Sequence, residues 1–145
     1  MHNISHYKII AIGKIKRKWI QTGIEMYLSR LPGLKILEIK DNTQTKEESI
    51  IKEIIRKNET LVTLNENGHS FTSMQLSEKL LNSHNQNITF VIGGATGLSP
   101  SLNNSASWQL SLSPLTFPHE IARLLLIEQL YRAQTIIQGS PYHKE

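Results

Sequence analysis

Short β-favouring apolar runs alternate along this chain with longer stretches whose apolar residues recur at helical spacing. Tyr7–Ile12 predicts a strand ended by Gly13, and Trp19, Ile20, Ile24, Tyr27, Leu28 and Leu31 then mark one side of a helix. Leu34–Ile39 predicts a second strand. Thr45 and Glu48 have the spacing of a capping box ahead of Ile50, Ile51, Ile54 and Ile55. Leu61–Leu64 predicts a third strand, and Thr72 with Gln75 repeats the cap signal before Leu76, Leu80 and Leu81. Asn87–Ile92 predicts a fourth. Beyond Gly93 and Gly94, Ser99 suits an N-cap and Pro100 a first helical residue, giving a short helix before a strand around Trp108–Leu112. Pro118 fits the first turn of a last helix that runs to about Gln138 and stops at Gly139, with Pro141 just past it. Unbroken β-α alternation predicts an α/β fold with a mostly parallel sheet flanked by helices.

The last helix carries more apolar residues than one core needs. Ile121, Ala122, Leu124–Ile127, Leu130, Ile136 and Ile137 surround most of its circumference, whereas a surface helix of a single domain buries one face. That pattern points to a homodimer contact, with burial wholly inside one protomer as the alternative.

At 145 residues the chain fits a single domain, 1–145, able to bury its own core. No apolar run approaches the roughly 18 residues of a membrane span, and the first residues carry no signal-peptide apolar core. A cytoplasmic protein with no membrane partner is the expectation. The lack of cysteine excludes disulfides, thiolate metal sites and a cysteine nucleophile. No set of His, Asp and Glu has metal-ligand spacing, so no metal is expected. A net charge of +4 favours a polyanionic partner. The sharpest basic cluster is Lys14-Ile-Lys-Arg-Lys18 followed by Trp19, a segment that also fits a solvated helix start.

Candidate chemistry gathers in the second half, in two Gly- and Pro-punctuated loops that each follow a short apolar strand. Ligands of open α/β sheets bind beyond the carboxyl ends of strands, so two such ends about twenty residues apart are able to close on one small molecule. Gly93-Gly-Ala-Thr-Gly97 permits positive φ and close approach of backbone to a ligand. It is not a P-loop, because no Gly-Lys-Ser/Thr follows, and its glycine spacing is not that of a dinucleotide fingerprint. A tight turn without ligand also accounts for it. Leu112-Ser-Pro-Leu-Thr-Phe117 is mostly apolar yet broken by Pro114 and closed by Pro118. Irregular backbone there leaves amides and carbonyls without ladder partners, which suits hydrogen bonding to a heterocycle such as adenine between apolar walls. A buried connector satisfied by its neighbours is the alternative. On the last helix Glu128 and Arg132 stand four apart, enough for a salt bridge worth about 0.3 kcal/mol.

Taken together, several segments resemble a known family. Leu64 after a β-run, Ile92-Gly-Gly-Ala-Thr-Gly-Leu98, Leu112–Phe117 with Pro118-His119 and Arg123, Ile127-Glu-Gln-Leu-Tyr-Arg-Ala133 and Pro141-Tyr-His-Lys144 are similar to the bacterial large-subunit ribosomal RNA pseudouridine N3-methyltransferases. These belong to the SPOUT class of S-adenosylmethionine enzymes, and the likeness spans nearly the whole chain. The resemblance implies a SPOUT-type sheet with a C-terminal deep trefoil knot, a homodimer, and methylation of a pseudouridine N3 in 23S ribosomal RNA of the large subunit or assembled ribosome. It further implies cofactor contacts at Leu64, Gly93, Leu112, Ser113, Pro114, Leu115, Thr116 and Phe117. His143, Tyr142 and Arg132 become the candidate catalytic residues, with His143 the candidate base because free imidazole, with a pKa of roughly 6.5, is the side chain best suited to that role. Lys14, Lys16, Arg17, Lys18 and Lys144 become candidate contacts to RNA phosphate. Methyl transfer from a sulfonium needs no metal. Two departures from the family pattern stand out: Lys40–Lys46 is shorter than its usual counterpart, and Pro114 removes one amide donor from the cofactor loop. The rival readings are a non-catalytic RNA-binding protein of the same fold and a nucleotide-dependent α/β enzyme of ordinary topology.

Overall fold

The apolar runs become five strands: β1 Tyr7–Ile12, β2 Lys35–Ile39, β3 Glu59–Ser70, β4 Asn87–Ile92 and β5 Trp108–Ser111. The computed structural model describes residues 4–83 and 85–144. Within it the strands form one sheet in the order β2-β1-β4-β3-β5, and every ladder is parallel. The helices are α1 Lys18–Ser29, α2 Gln44–Ile54, α3 Ser73–Asn82, α4 Pro100–Ser105 and α5 His119–Gln138.

Near-continuous apolar sequence in β1 and β4 follows from their place at the centre, where both faces of a parallel sheet are covered. The pleat sends Ile9, Ala11, Val62 and Phe90 to one face, against Ile20 and Ile24 of α1, Leu76 and Leu80 of α3 and Leu126, Ile127 and Leu130 of α5. Ile10, Ile12, Leu61 and Val91 turn to the other face, against Ile51 of α2 and Leu102 of α4. Phe90 is fully buried, and its ring meets Tyr7 and Trp108 edge to face at 6.0 and 6.3 Å.

Most predicted boundaries hold within a residue or two, and three differences carry information. The capping box of α3 forms as read, with Thr72 and Gln75 bonding each other's backbone. That of α2 does not form at Thr45: the helix starts two residues earlier, because Thr43 reaches the Lys46 N–H at 3.2 Å. Glu48 is thereby released to bind Ser99 and Ser101 at the start of α4 and Lys52 on its own helix. Pro118 is the N-cap of α5 rather than its first residue. The largest difference is β3, twelve residues long where four were expected. Its pairing to β5 skips from Leu64 to His69, both opposite Leu110, so residues 65–68 loop out of the ladder. Turn-favouring Asn65-Glu-Asn-Gly68 reads as the end of a strand, and the second half is held in the sheet by its ladder to β5.

The Glu48 contacts tie α2 to α4 and give the fold an acid-sensitive link. Lys52 foremost, then Ser99 and Ser101, draw its carboxyl from an ordinary value of 4.5 down to about 2. A carboxyl lowered on folding stabilises the protein above its unfolded value and loses that contribution as pH falls toward the folded one. The stability gap between wild type and Glu48→Gln, read by urea unfolding, is therefore expected to be full at pH 7 and to close between 4.5 and about 2. A gap that stays constant across that window would contradict the role given to this carboxylate.

Candidate functional site

Parallel pairing delivers the carboxyl ends of all five strands to one edge of the sheet. The loops leaving β4 and β5 emerge on either side of β3, whose looped-out residues Asn65 and Glu66 rise between them. Together with the start of α5 they enclose a cleft of about 330 Å³. That volume lies within the range of small-molecule sites, about 300–1,000 Å³.

Of the residues expected to meet a cofactor, Leu64, Gly93, Leu112, Ser113, Leu115, Thr116 and Phe117 line this cleft. Pro114 does not; it is exposed to solvent. The Ser113 hydroxyl accepts the Leu115 N–H at 3.1 Å, so that amide is satisfied inside the loop. Leu115 is 71% exposed although it borders the cleft. Leu64, which reads as an ordinary core position, is the last residue of β3 before the looped-out segment and so reaches the cleft wall.

The glycine loop is shaped by contact with itself. Its return is a turn in which the Gly97 N–H donates to the Gly94 carbonyl at 3.0 Å, with Gly97 at φ +74°. A Cβ on Gly93 would stand 2.8 Å from the Gly97 carbonyl carbon and 2.9 Å from the Leu98 nitrogen. Gly93 has no positive φ, so what demands glycine there is the neighbouring backbone, before any ligand is considered. From the other side of the sheet, Gln44 at the start of α2 donates to the Thr96 carbonyl at 2.7 Å and fixes the loop's outer limb.

Among the lining residues Glu66 is the one carboxylate. Its side chain accepts from Thr116 at 2.5 Å, and its backbone carbonyl accepts from Ser111 at 3.0 Å. The β3 loop-out and the loop after β5 are thus stitched together across the cleft's rim. Glu66, Asn65 and Asn103 were not singled out from sequence. The signal for the first two was the polar Asn-Glu-Asn-Gly interruption, which reads as a turn and acquires its place only through the β5 ladder.

A second cluster forms where the chain after α5 folds back. Arg132 donates to Glu128 at 2.7 Å, Tyr142 donates to the same carboxylate at 2.9 Å, and Arg132 meets His143 Nδ1 at 3.0 Å. Tyr27 of α1 touches the Tyr142 hydroxyl at 3.2 Å, and the Arg132 guanidinium lies 4.8 Å over the Tyr142 ring. Burial first, then the Tyr27 and Glu128 contacts, raises the Tyr142 pKa, while the Glu128 bond raises that of Arg132. The structure therefore gathers Arg132, Tyr142 and His143 into one cluster with Glu128 and Tyr27. The predicted Glu128–Arg132 salt bridge is formed within this cluster. None of its residues lines the cleft. Ala122 does, and Arg132 is ten residues further along α5, about 15 Å of axial rise.

Lys14, Lys16 and Arg17 are exposed on the segment between β1 and α1, Lys18 is exposed as the first residue of α1, and Lys144 is exposed after α5. His119, which lines the cleft, stands beside Gly13 at the root of that basic segment. Among the described residues no group of three or more His, Cys, Asp or Glu side chains is arranged to hold a metal ion. No helix among them is long and apolar enough to cross a membrane.

The glycine geometry sets up a comparison. Gly93→Ala drives its Cβ into backbone and is expected to distort the cleft, so that S-adenosylhomocysteine, the probe the resemblance suggests, binds about tenfold or more weakly by calorimetry than to wild type. Gly94→Ala meets side chains rather than backbone, Ile12 at 3.2 Å and Asp41 at 3.8 Å, and its effect is expected to stay within about threefold. Equal effects of the two substitutions would show that this contact does not govern the cleft.

Comparison with known proteins agrees with the geometry. Residues 6–143 match the family model described as "Predicted SPOUT methyltransferase". A Prochlorococcus marinus (strain NATL2A) protein named Ribosomal RNA large subunit methyltransferase H is 83% identical over 145 residues, covering 100% of both chains. A protein of the same name from Parasynechococcus marenigrum (strain WH8102) is 54% identical over 142 residues, 98% of this chain and 99% of the relative. Among solved structures, a probable methylase family protein from Haemophilus influenzae Rd KW20 superposes with a TM-score of 0.61 at 12% identity, covering 98% of this chain and 72% of that one, and so shares the fold. With the family model spanning almost the whole chain and close relatives matching it end to end, the protein belongs to the SPOUT methyltransferase family.

Proposed function

We propose that this chain, acting over residues 1–145 as one unit and as a cytoplasmic homodimer, methylates N3 of a pseudouridine in 23S ribosomal RNA with S-adenosylmethionine. The observation that carries the reading is the cleft itself, in which seven of eight residues matched to the family's cofactor loops converge. Support for the RNA comes from the names of the close relatives and from the exposed cations of the Lys14–Lys18 segment.

The cleft suits the cofactor. Leu64, Leu112 and Phe117 offer apolar walls for a purine, and Glu66 offers a carboxylate to a ribose or a cation. S-adenosylmethionine, when bound, supplies a methyl group already activated by its sulfonium, so no metal is asked of the site. What remains for the protein is to exclude water, to hold the acceptor in line and to remove the N3 proton. A guanidinium near the imide stabilises its anion, and Arg132 is assigned that task. His143 takes the proton at Nδ1 once Arg132 turns from the ring to the base, and passes it to solvent. Tyr142, whose pKa is raised, stays protonated and donates a hydrogen bond.

One protomer leaves these groups apart from its own cleft, which supports the homodimer. Exposed apolar surface is available on the same two helices that supply the cluster: Trp19 and Met26 of α1 are 63% and 43% exposed, and Ile121, Leu124 and Leu125 of α5 are only half-buried. A second copy packed on that surface would lay its tail over the first copy's cleft. The knot is part of the same proposal, supported by the loop after β5 being bound to the β3 loop-out before α5 turns back beneath the sheet to α1 and α3.

Purified protein, labelled S-adenosylmethionine and unmethylated ribosomes are expected to yield label on a pseudouridine N3. In the same assay His143→Ala is expected to lower kcat by about 10²-fold while leaving cofactor affinity within about twofold. Cofactor binding without any transfer would replace this reading with the non-catalytic one.

A further inference from the structure

Glu120, in the first turn of α5, is buried, and its carboxylate faces another part of the chain. Its Oε1 accepts the backbone N–H of Lys16 and that of Arg17, each at 3.0 Å, across more than a hundred residues of sequence. The Arg17 amide first, and then that of Lys16, holds the carboxyl below its ordinary pKa. One turn later on the same helix Arg123, 3% exposed, donates to the Gly13 carbonyl at 2.9 Å and pairs with Glu38. The start of α5 therefore grips the basic segment at both ends, by its carbonyl at Gly13 and by its amides at Lys16 and Arg17.

The grip falls on backbone alone. Arg17 holds the cap position of α1, yet its side chain makes no cap bond, and the side chains of Lys14, Lys16, Arg17 and Lys18 all stay exposed. A carboxylate that satisfies two amides while four cations point outward fixes where those cations stand. His119, adjacent to Glu120, lines the cleft, so the same turn of helix sets the position of the cations relative to the cofactor pocket.

We infer that Glu120 is a positioning residue for the RNA substrate: its backbone bonds to Lys16 and Arg17 pre-arrange the Lys14–Lys18 cations next to the turn of α5 that carries His119 of the cleft wall, where they receive phosphate. The inference rests on the reading that this segment binds ribosomal RNA. It differs from an effect of charge in sign. As a negative charge beside cations Glu120 would oppose RNA, and removing it would tighten binding; as a clamp it favours RNA, and removing it loosens binding.

The test compares Glu120→Ala with Glu120→Gln in steady-state methylation of unmethylated ribosomes, with cofactor affinity measured in parallel by calorimetry. Gln keeps an oxygen that accepts both amides, whereas Ala keeps none. Ala is expected to raise KM for the ribosome about tenfold, the cost of ordering a loosened segment on binding, with kcat and cofactor affinity within about twofold. Gln is expected to restore wild-type KM. Lower KM in both variants would mean that Glu120 acts by charge alone. Unchanged KM in the Ala variant, or equal damage to KM and cofactor affinity, would also overturn the inference. Should the Ala variant fail to fold, Glu120→Ser, well suited to a first helical turn but too short to reach, makes the same comparison. A Lys14→Ala/Lys16→Ala/Lys18→Ala variant separates the two levels. If it binds ribosomes like wild type, the RNA reading of the segment fails; if it weakens binding while Glu120→Ala does not, only the clamp fails.

Discussion

A parallel ladder obliges each strand to release its chain at the same edge of the sheet, and β3 sits between β4 and β5 at that edge. The cleft depends on this placement. Were β4 and β5 neighbours, their loops would pack directly on one another. With β3 between them they stand apart by the width of a strand, and Asn65 and Glu66, two of the four residues that β3 loops out of its ladder, line the wall between. Apolar side chains on both faces of β1, β4 and β3 hold the order, since a slip of one residue would exchange the α1–α3–α5 face for the α2–α4 face.

On that frame, carboxylates are used chiefly to hold backbone and loops in position. Glu48 joins α2 to the helix that follows the glycine loop, Glu66 joins the two rims of the cleft, and Glu120 holds the segment ahead of α1. Glu128 gathers Arg132 and Tyr142. In a protein of net positive charge, none of the salt bridges among the described residues uses the exposed cations of residues 14–18, an arrangement that suits a phosphate-binding surface.

The glycine loop shows how a motif's chemistry and its geometry differ. Two consecutive glycines after a strand suggest a backbone open to a ligand, and the loop does line the cleft. Yet at Gly93 the first demand comes from the chain's own return through Gly97 and Leu98. Pro114 makes the complementary point, since it belongs to the loop in sequence yet takes no part in the cleft lining.

Periodicity and capping chemistry, which act over a few residues, were enough to place nearly every element, and the two loops beyond β4 and β5 were legible as one site because strand ends of a parallel sheet share an edge. The capping of α2 was misplaced, as Thr43 and Thr45 offer the same local signal and only the distant partners Ser99 and Ser101 decide where Glu48 points. The length of β3, the part taken by Glu66, and the meeting of Glu120 with Lys16 were not readable, because each is settled by a ladder or hydrogen bond between residues tens of positions apart. Local patterns carry no record of which distant amide a carboxylate will find; packing of α5 against α1 brings those groups within 3.0 Å.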